Sequence, residues 1–255
     1  MRLHYYTTAE TLDKIIDTKR IKLSRFGEHG NLNDPFELHP YDEAELGRHN
    51  RIGYKKSIEK FQESMGMICL SRTWQSPLMW GHYSDFHRGV CLEIEVGYDH
   101  FVPVTYTTQK LPFRRALLDS NNNEKVKQLK QDFATKAKGW EYEEEVRGFF
   151  PLRKEEGLIS LDKNENYFLC FNHREDHEFI LRKIYVGFRY RQGINQLQKK
   201  LKDHFEQVEV QQTRPAFGEF KVVQQKNDDY WNMDAAADGE QTRCEESVWG
   251  YDPKQ

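Results

Sequence analysis

Stretches of strand length and stretches of helical period follow one another along this chain in no fixed order, and that irregularity narrows the fold more than any other feature. A doubly wound parallel sheet needs strand and helix in regular alternation. Its absence points to the α+β class: a single domain with a split, mostly antiparallel sheet and flanking helices. Leu3 to Tyr6 reads as a first strand. Thr7 followed by Glu10 reads as a capping box, with Leu12, Ile15 and Ile16 on the apolar stripe behind it. A second strand is expected from Ile21 to Ser24. The loop from Gly27 to Pro40 contains Asn33-Asp34-Pro35, an Asx-type turn signal.

Tyr54 to Ser64 has helical character, and Met67 to Thr73 reads as a buried strand. Ser76-Pro77 is a helix start, with serine at the cap and proline at the first helical position. That short helix carries Met79, Trp80 and Tyr83, and His87-Arg88-Gly89 reads as its end. Val90, Leu92, Ile94 and Val96 alternate with Cys91, Glu93 and Glu95, the pattern of a half-buried strand. Phe101 to Thr107 is expected to be another strand. Val126, Leu129, Phe133, Ala137 and Trp140 fall at helical spacing and predict one long amphipathic helix. Strands are expected over Gly148 to Pro151, over Phe179 to Gly187, and near Val208 and Phe220, with a helix through Ile194, Leu197, Leu201 and Phe205. The body is expected to span residues 1–226. Residues 227–255 are polar and read as a loosely held tail, with Trp231 and Trp249 as the side chains able to dock it.

The chain carries 16 Phe, 13 Tyr and 5 Trp, enough to fill a core, so its polar balance does not signal disorder. A net charge of −3 argues against a protein whose main task is coating nucleic acid. Cys69, Cys91, Cys170 and Cys244 form no CxxC pair, so neither a zinc site nor a disulfide framework is suggested. No apolar run reaches the roughly 18 residues of a membrane span. Arg2 runs straight into the first strand without a signal peptide. The expectation is a cytoplasmic protein with no membrane partner and no metal.

Four pieces in order resemble the signature of a bacterial family known as domain of unknown function 2971. They are Tyr5-Tyr6-Thr7-Thr8; Asn33-Asp34-Pro35-Phe36-Glu37; Met79-Trp80-Gly81-His82-Tyr83-Ser84 with His87-Arg88-Gly89-Val90; and Trp140-Glu141-Tyr142-Glu143-Glu144-Glu145-Val146-Arg147. Ile184-Tyr185-Val186-Gly187 matches the family's late strand. A looser resemblance links the chain to ADP-ribosyltransferases. Those enzymes carry a polar residue, often His, on a first strand, a Tyr on a short helix before a core strand, and a Glu later. Here the first-strand position aligns with Tyr5, and His4 stands one residue earlier.

That resemblance implies cleavage of the nicotinamide–ribose bond of NAD, used as a substrate, and transfer of ADP-ribose to a macromolecular acceptor, protein or nucleic acid. It suggests a toxin or phage-defence effector, with a neutralising antitoxin as a candidate partner. Positive charge develops on the ribose as the bond breaks, and a fixed carboxylate stabilises it. The resemblance assigns that role to Glu145, with Glu143 as the first member of a Glu-x-Glu pair, and assigns Tyr83 to stacking on nicotinamide. His4, Tyr5, Tyr6, Arg25, His82 and Tyr83 make up the candidate NAD-contacting set, Arg25 as a partner for the pyrophosphate. Simpler readings stand beside these: Glu145 pairing with Arg147, and Tyr83 packing with Met79 and Trp80. The competing functions are an NAD-binding module without turnover and a metal-independent nuclease using His82 or His87 with Glu145.

Overall fold

Strand β1 (Arg2–Thr7) hands the chain to helix α1 (Ala9–Thr18). The cap of α1 is Thr8, whose extended backbone lets its hydroxyl accept the Thr11 N–H at 3.1 Å. Thr7, the cap expected from the sequence, is still strand and pairs with Val90, so the capping signal sits one residue later. Lys19 closes α1 in the left-handed conformation, its N–H bonded to the Ile15 carbonyl. The expected second strand comes in two pieces, β2 (Arg20–Lys22) and β3 (Ser24–Arg25). Helix α2 (Arg48–Ser64) starts earlier than its apolar pattern suggests and leads into β4 (Met65–Ser71). Ser76 caps α3 (Pro77–Tyr83) by accepting the Met79 N–H, with Pro77 opening the helix as read.

Next come β5 (Val90–Val96), β6 (Phe101–Pro103) and β7 (Thr105–Thr107). The predicted long helix through Trp140 is three elements: α4 (Asn123–Phe133), β8 (Thr135–Ala137) and a 3-10 turn over Lys138–Glu143. Tertiary hydrogen bonds end α4. Arg147 donates to the Phe133 carbonyl and Thr105 N–H to the Ala134 carbonyl, the acceptors a continuing helix would need. The chain finishes with β9 (Glu145–Pro151), β10 (Ile159–Leu161), β11 (Tyr167–Cys170), β12 (Asn172–Arg174), β13 (His177–Val186), α5 (Ile194–His204), β14 (Glu209–Pro215), β15 (Val222–Gln224) and α6 (Arg243–Val248). The computed structural model describes residues 1–25, 34–44, 46–97, 100–113, 123–152, 158–174, 177–205 and 207–249.

The protein is α+β, with mostly antiparallel pairing, and contacts divide it into two compact units. Unit 1 comprises Met1–Ile21, Ser71–Gly97 and Cys170–Gln255, and unit 2 comprises Lys22–Leu70 and Tyr98–Leu169.

In unit 1 the strand order is β15-β14-β13-β5-β1, with β12 beside β13; only the β13–β14 pair is parallel. β5 is the inner strand between β1 and β13 and is buried on both faces, not one: even Glu93 is only 8 % exposed. The apolar stripes of α1 (Leu12, Ile15, Ile16) and α5 (Ile194, Leu197, Leu201) are buried, and the two helices touch. The expected loose tail is held as far as residue 249 by polar bonds. Asn232 and Thr242 both donate to the Phe188 carbonyl, Asn232 also binds Gln212, and Cys244 is fully buried. Trp249 is exposed and does not dock; 250–255 lie outside the described residues.

In unit 2, β3 and β9 flank β4, and β6 follows β9; β10 pairs with β11 and β7 runs parallel to β8. Its core packs Tyr41, Tyr54, Met65, Met67, Phe133 and Phe149, with the Tyr41 and Tyr54 rings edge to face at 5.6 Å.

Candidate functional site

The residues singled out from the sequence fall into two groups. His4, Tyr5, Tyr6, His82 and Tyr83 belong to unit 1, and Arg25, Glu143 and Glu145 to unit 2. On β1, alternation sends His4 and Tyr6 to one sheet face and Tyr5 to the other. Tyr6 is a packing residue: its hydroxyl donates to the Thr73 carbonyl at 2.9 Å and its ring meets Trp80 edge on. Tyr5 is half-buried, opposite Leu92 of β5. On α3, His82 is exposed and Tyr83 half-buried, with ring centres 6.3 Å apart. Arg25 is half-buried over the Tyr167 ring at 6.0 Å.

In unit 2 one cluster joins the carboxylates of Glu37, Glu143 and Glu145 to the cations of Lys136 and Arg147. Asp34 accepts the Phe36 N–H at 2.9 Å, the expected Asx turn, and the turn delivers Glu37; Asn33 lies outside the described residues. β8 supplies Lys136, the 3-10 turn supplies Glu143, and β9 supplies Glu145 and Arg147 two residues apart on one strand face. Lys136 Nζ donates to Glu143 at 2.5 Å and to Glu145 Oε2 at 3.1 Å. Arg147 donates from Nε to Glu145 Oε1 at 2.9 Å and from Nη1 to the Phe133 carbonyl at 2.5 Å, and it also pairs with Glu37.

Burial opposes ionisation of Glu145, but Arg147 and Lys136 outweigh it and pull the group down to about 2. Burial wins at Glu37, which is pushed up despite the same two cations. The Cys69 thiol is pushed well up by burial, so it stays protonated and unreactive. Both Glu145 oxygens are engaged by cations, as the simpler sequence reading expected, and the cluster ties β8, β9 and the Glu37 turn together.

Unit 1 holds a second constellation on the His4 face of its sheet, of which the sequence reading had taken only His4 as a site residue. Register sets His4 of β1 opposite Glu93 of β5, and Glu93 opposite Lys183 of β13, two residues before Tyr185. Arg2 donates to Glu93 Oε1 at 2.7 Å, and the Tyr185 hydroxyl to Glu93 Oε2 at 3.2 Å. His4 Nε2 stands 3.8 Å from Glu93 Oε2, close enough to attract but beyond hydrogen-bond length. His4 beside it, together with Arg2 and Tyr185, holds Glu93 below the usual carboxylate range against the effect of burial. Trp74 stacks on Tyr185 with centres 4.3 Å apart and planes 7° from parallel. Trp74 is positioned in turn by its carbonyl, which accepts the Trp80 indole N–H at 2.7 Å.

His4 is 7 % exposed, yet neither ring nitrogen has a hydrogen-bond partner among the described residues. Buried polar groups are nearly always paired, so an orphaned imidazole beside a carboxylate, a phenol and a stacked indole marks a site able to take a polar ligand. The signal was in the sequence: Glu93 is a charged residue at the centre of a strand otherwise rich in apolar side chains, and Tyr185 lay in a quoted motif.

Beside this face the chain makes an unusual turn. α3 ends at Tyr83, and Asp85, Phe86 and His87 are all left-handed, with φ of 48°, 51° and 68°. The helix therefore stops before the His87-Arg88-Gly89 end read from the sequence. Gly89 is required by a close approach: a Cβ there would overlap the Thr7 carbonyl oxygen. The His87 ring packs against Trp80 and Phe188, and burial, with Arg189, draws its basicity down to about 4.

Residues 79–148 match the model of a family described as protein of unknown function (DUF2971), a stretch that includes most of α3, all of β5 and the Lys136–Arg147 segment. No curated protein matches the chain, and no solved structure matches it. Among the described residues, no His, Cys, Asp and Glu side chains group to hold a metal, and no helix is long and apolar enough to cross a membrane.

Proposed function

We propose that the chain is an ADP-ribosyltransferase-like enzyme that cleaves the nicotinamide–ribose bond of NAD and passes ADP-ribose to a macromolecular acceptor. The reacting centre in this reading is the His4–Glu93–Tyr185–Trp74 group of unit 1. The observation that carries it is the buried His4 imidazole with two unsatisfied nitrogens beside a carboxylate.

The chemistry asks for three things, and this group offers each. As the C1′–N bond breaks, its electron pair leaves with nicotinamide and positive charge grows on the ribose; the Glu93 carboxylate is the stabilising charge. His4 hydrogen-bonds a ribose hydroxyl, the polar first-strand role that the transferase resemblance gives to that strand. The Trp74 indole, already stacked on Tyr185, offers a flat face to the nicotinamide ring. The acceptor's nucleophile then bonds to C1′ and its proton goes to solvent. We favour Glu93 over Glu145 for the reacting carboxylate because Glu145 is held between two buried cations, Lys136 and Arg147, whereas the cation bonded to Glu93 is the largely exposed Arg2.

The test incubates purified protein with NAD and total bacterial extract and follows nicotinamide by chromatography. Wild type is expected to release it, Glu93→Gln to lower the rate by about a hundredfold or more, and Glu145→Gln to retain it in the folded fraction. No release by wild type overturns the transferase reading. Release that survives Glu93→Gln but not Glu145→Gln moves the reaction to unit 2.

A further inference from the structure

Unit 1 contains a cavity of ≈ 530 Å³ formed by the C-terminal ends of α1 and α5, the start of β13 and the segment leading to β14. That volume lies within the roughly 300–1,000 Å³ typical of small-molecule sites. We propose that it binds a mononucleotide, taking the base on its aromatic wall and the phosphate on its basic rim. The inference does not depend on the NAD reading, whose residues lie on β1, on β5, at the far end of β13 and, for Trp74, between β4 and α3.

The wall is built from three phenylalanines. Phe171 stacks on Phe179 with centres 4.9 Å apart and planes 18° from parallel, and Phe205 meets Phe171 edge on at 5.6 Å. Phe179 is buried, while Phe171 and Phe205 keep part of their surface open. Ring surface left open at a cavity wall suits a flat base, since every base has a π-face.

The rim carries Lys19, Arg182 and Lys202 against Asp203. Arg182 is committed to Glu95 through Nε at 2.7 Å. Lys19 and Lys202 differ from it, and from Lys200, which takes Asp13 and Asp17: neither has a carboxylate partner among the described residues. Lys19 Nζ sits 5.9 Å from the Phe205 ring centre, which brings a cation next to the aromatic wall. Helix C-termini normally repel anions. Here the Lys19 N–H closes the Ile15 carbonyl, Phe171 N–H caps the Lys19 carbonyl, and Phe205 N–H caps that of Leu201. Those three carbonyls are occupied, and the lysine ammonium groups supply the positive charge at the rim. A cationic rim is notable in a chain of net charge −3.

The experiment titrates the full chain by calorimetry at low ionic strength with three probes: AMP, adenosine and inorganic phosphate. AMP is expected to bind saturably and more tightly than either part alone. Lys19→Glu/Lys202→Glu, at two exposed positions, should weaken AMP by about tenfold or more, equivalent to about 1.4 kcal/mol, while Lys19→Arg/Lys202→Arg retains it. The proposal is overturned if AMP shows no saturable binding, if adenosine binds as tightly as AMP, or if the double glutamate variant binds AMP like wild type.

Discussion

Replacing Arg147 with Met tests the account of the unit 2 interior. Arg147 is fully buried and donates to Glu145 from Nε at 2.9 Å and Nη2 at 3.2 Å, to the Phe133 carbonyl at 2.5 Å, and pairs with Glu37. Methionine fills much of the same volume but supplies none of those donors and no charge. Lys136 alone would then face Glu37, Glu143 and Glu145, three carboxylates that pack with little water. Removing one partner of a buried ion pair costs about 3–5 kcal/mol, because the remaining charge is left uncompensated. Against a typical total of about 5–15 kcal/mol, that is a severe loss.

The pH dependence gives the sharper check. In the wild type, Glu145 is held down to about 2, so its contribution is present above the unfolded value of 4.5 and lost as pH falls through about 2. In Arg147→Met the main cause of that depression is gone and burial raises the carboxylate. The penalty is then largest at neutral pH and shrinks as pH falls toward 5 and the group takes up a proton. Hydrogen exchange of the β9 amides at pH 5 and pH 8 reads the opening of unit 2 directly. Adding Glu145→Gln should restore about 1–2 kcal/mol, since the two residues touch. A loss below about 1 kcal/mol, or a gap between variant and wild type that widens as pH falls, refutes the reasoning.

Two further outcomes follow from unit 1. Gly89→Ala should lower stability by about 3 kcal/mol, because the new methyl meets the Thr7 carbonyl and also crowds that of Ser84 at 2.9 Å; an unchanged melting temperature would show that this turn yields easily. His87 is drawn from its ordinary 6.5 to about 4, so the fold favours its neutral form. That contribution is present above pH 6.5 and lost as pH falls through about 4, and His87→Phe should flatten the decline of melting temperature across that window.

Local order was legible before the fold was seen. The Ser76-Pro77 start, the α1 stripe and the turn at Asp34 each depend on residues within about four positions of one another, and each stands in the structure, as does the β5 strand although it is buried on both faces. The absence of a βαβ rhythm likewise predicted the α+β class and the antiparallel pairing. The failures share one cause. α4 stops at Phe133 although its apolar period runs on to Trp140, because Arg147, 14 residues away, takes the carbonyl that the next turn needed. The polar segment after residue 226 packs through Asn232 and Thr242 onto a carbonyl up to 54 residues away, a docking that no hydrophobic pattern announces.

The same separation explains the sites. The sequence by itself marked Glu37, Glu143, Glu145 and Arg147 as motif residues, and marked His4 as a polar residue on a first strand. It had no means of showing that Glu37 would share Arg147 with Glu145, or that Glu93 would meet Arg2 and Tyr185 across 91 and 92 residues of chain. Helical period, strand alternation and caps are set by backbone geometry over a few residues. Ion pairing and burial are set by which distant segments the sheet register brings opposite one another, and here that register sets Glu93 beside Arg2 and a His4 imidazole without a hydrogen-bond partner among the described residues.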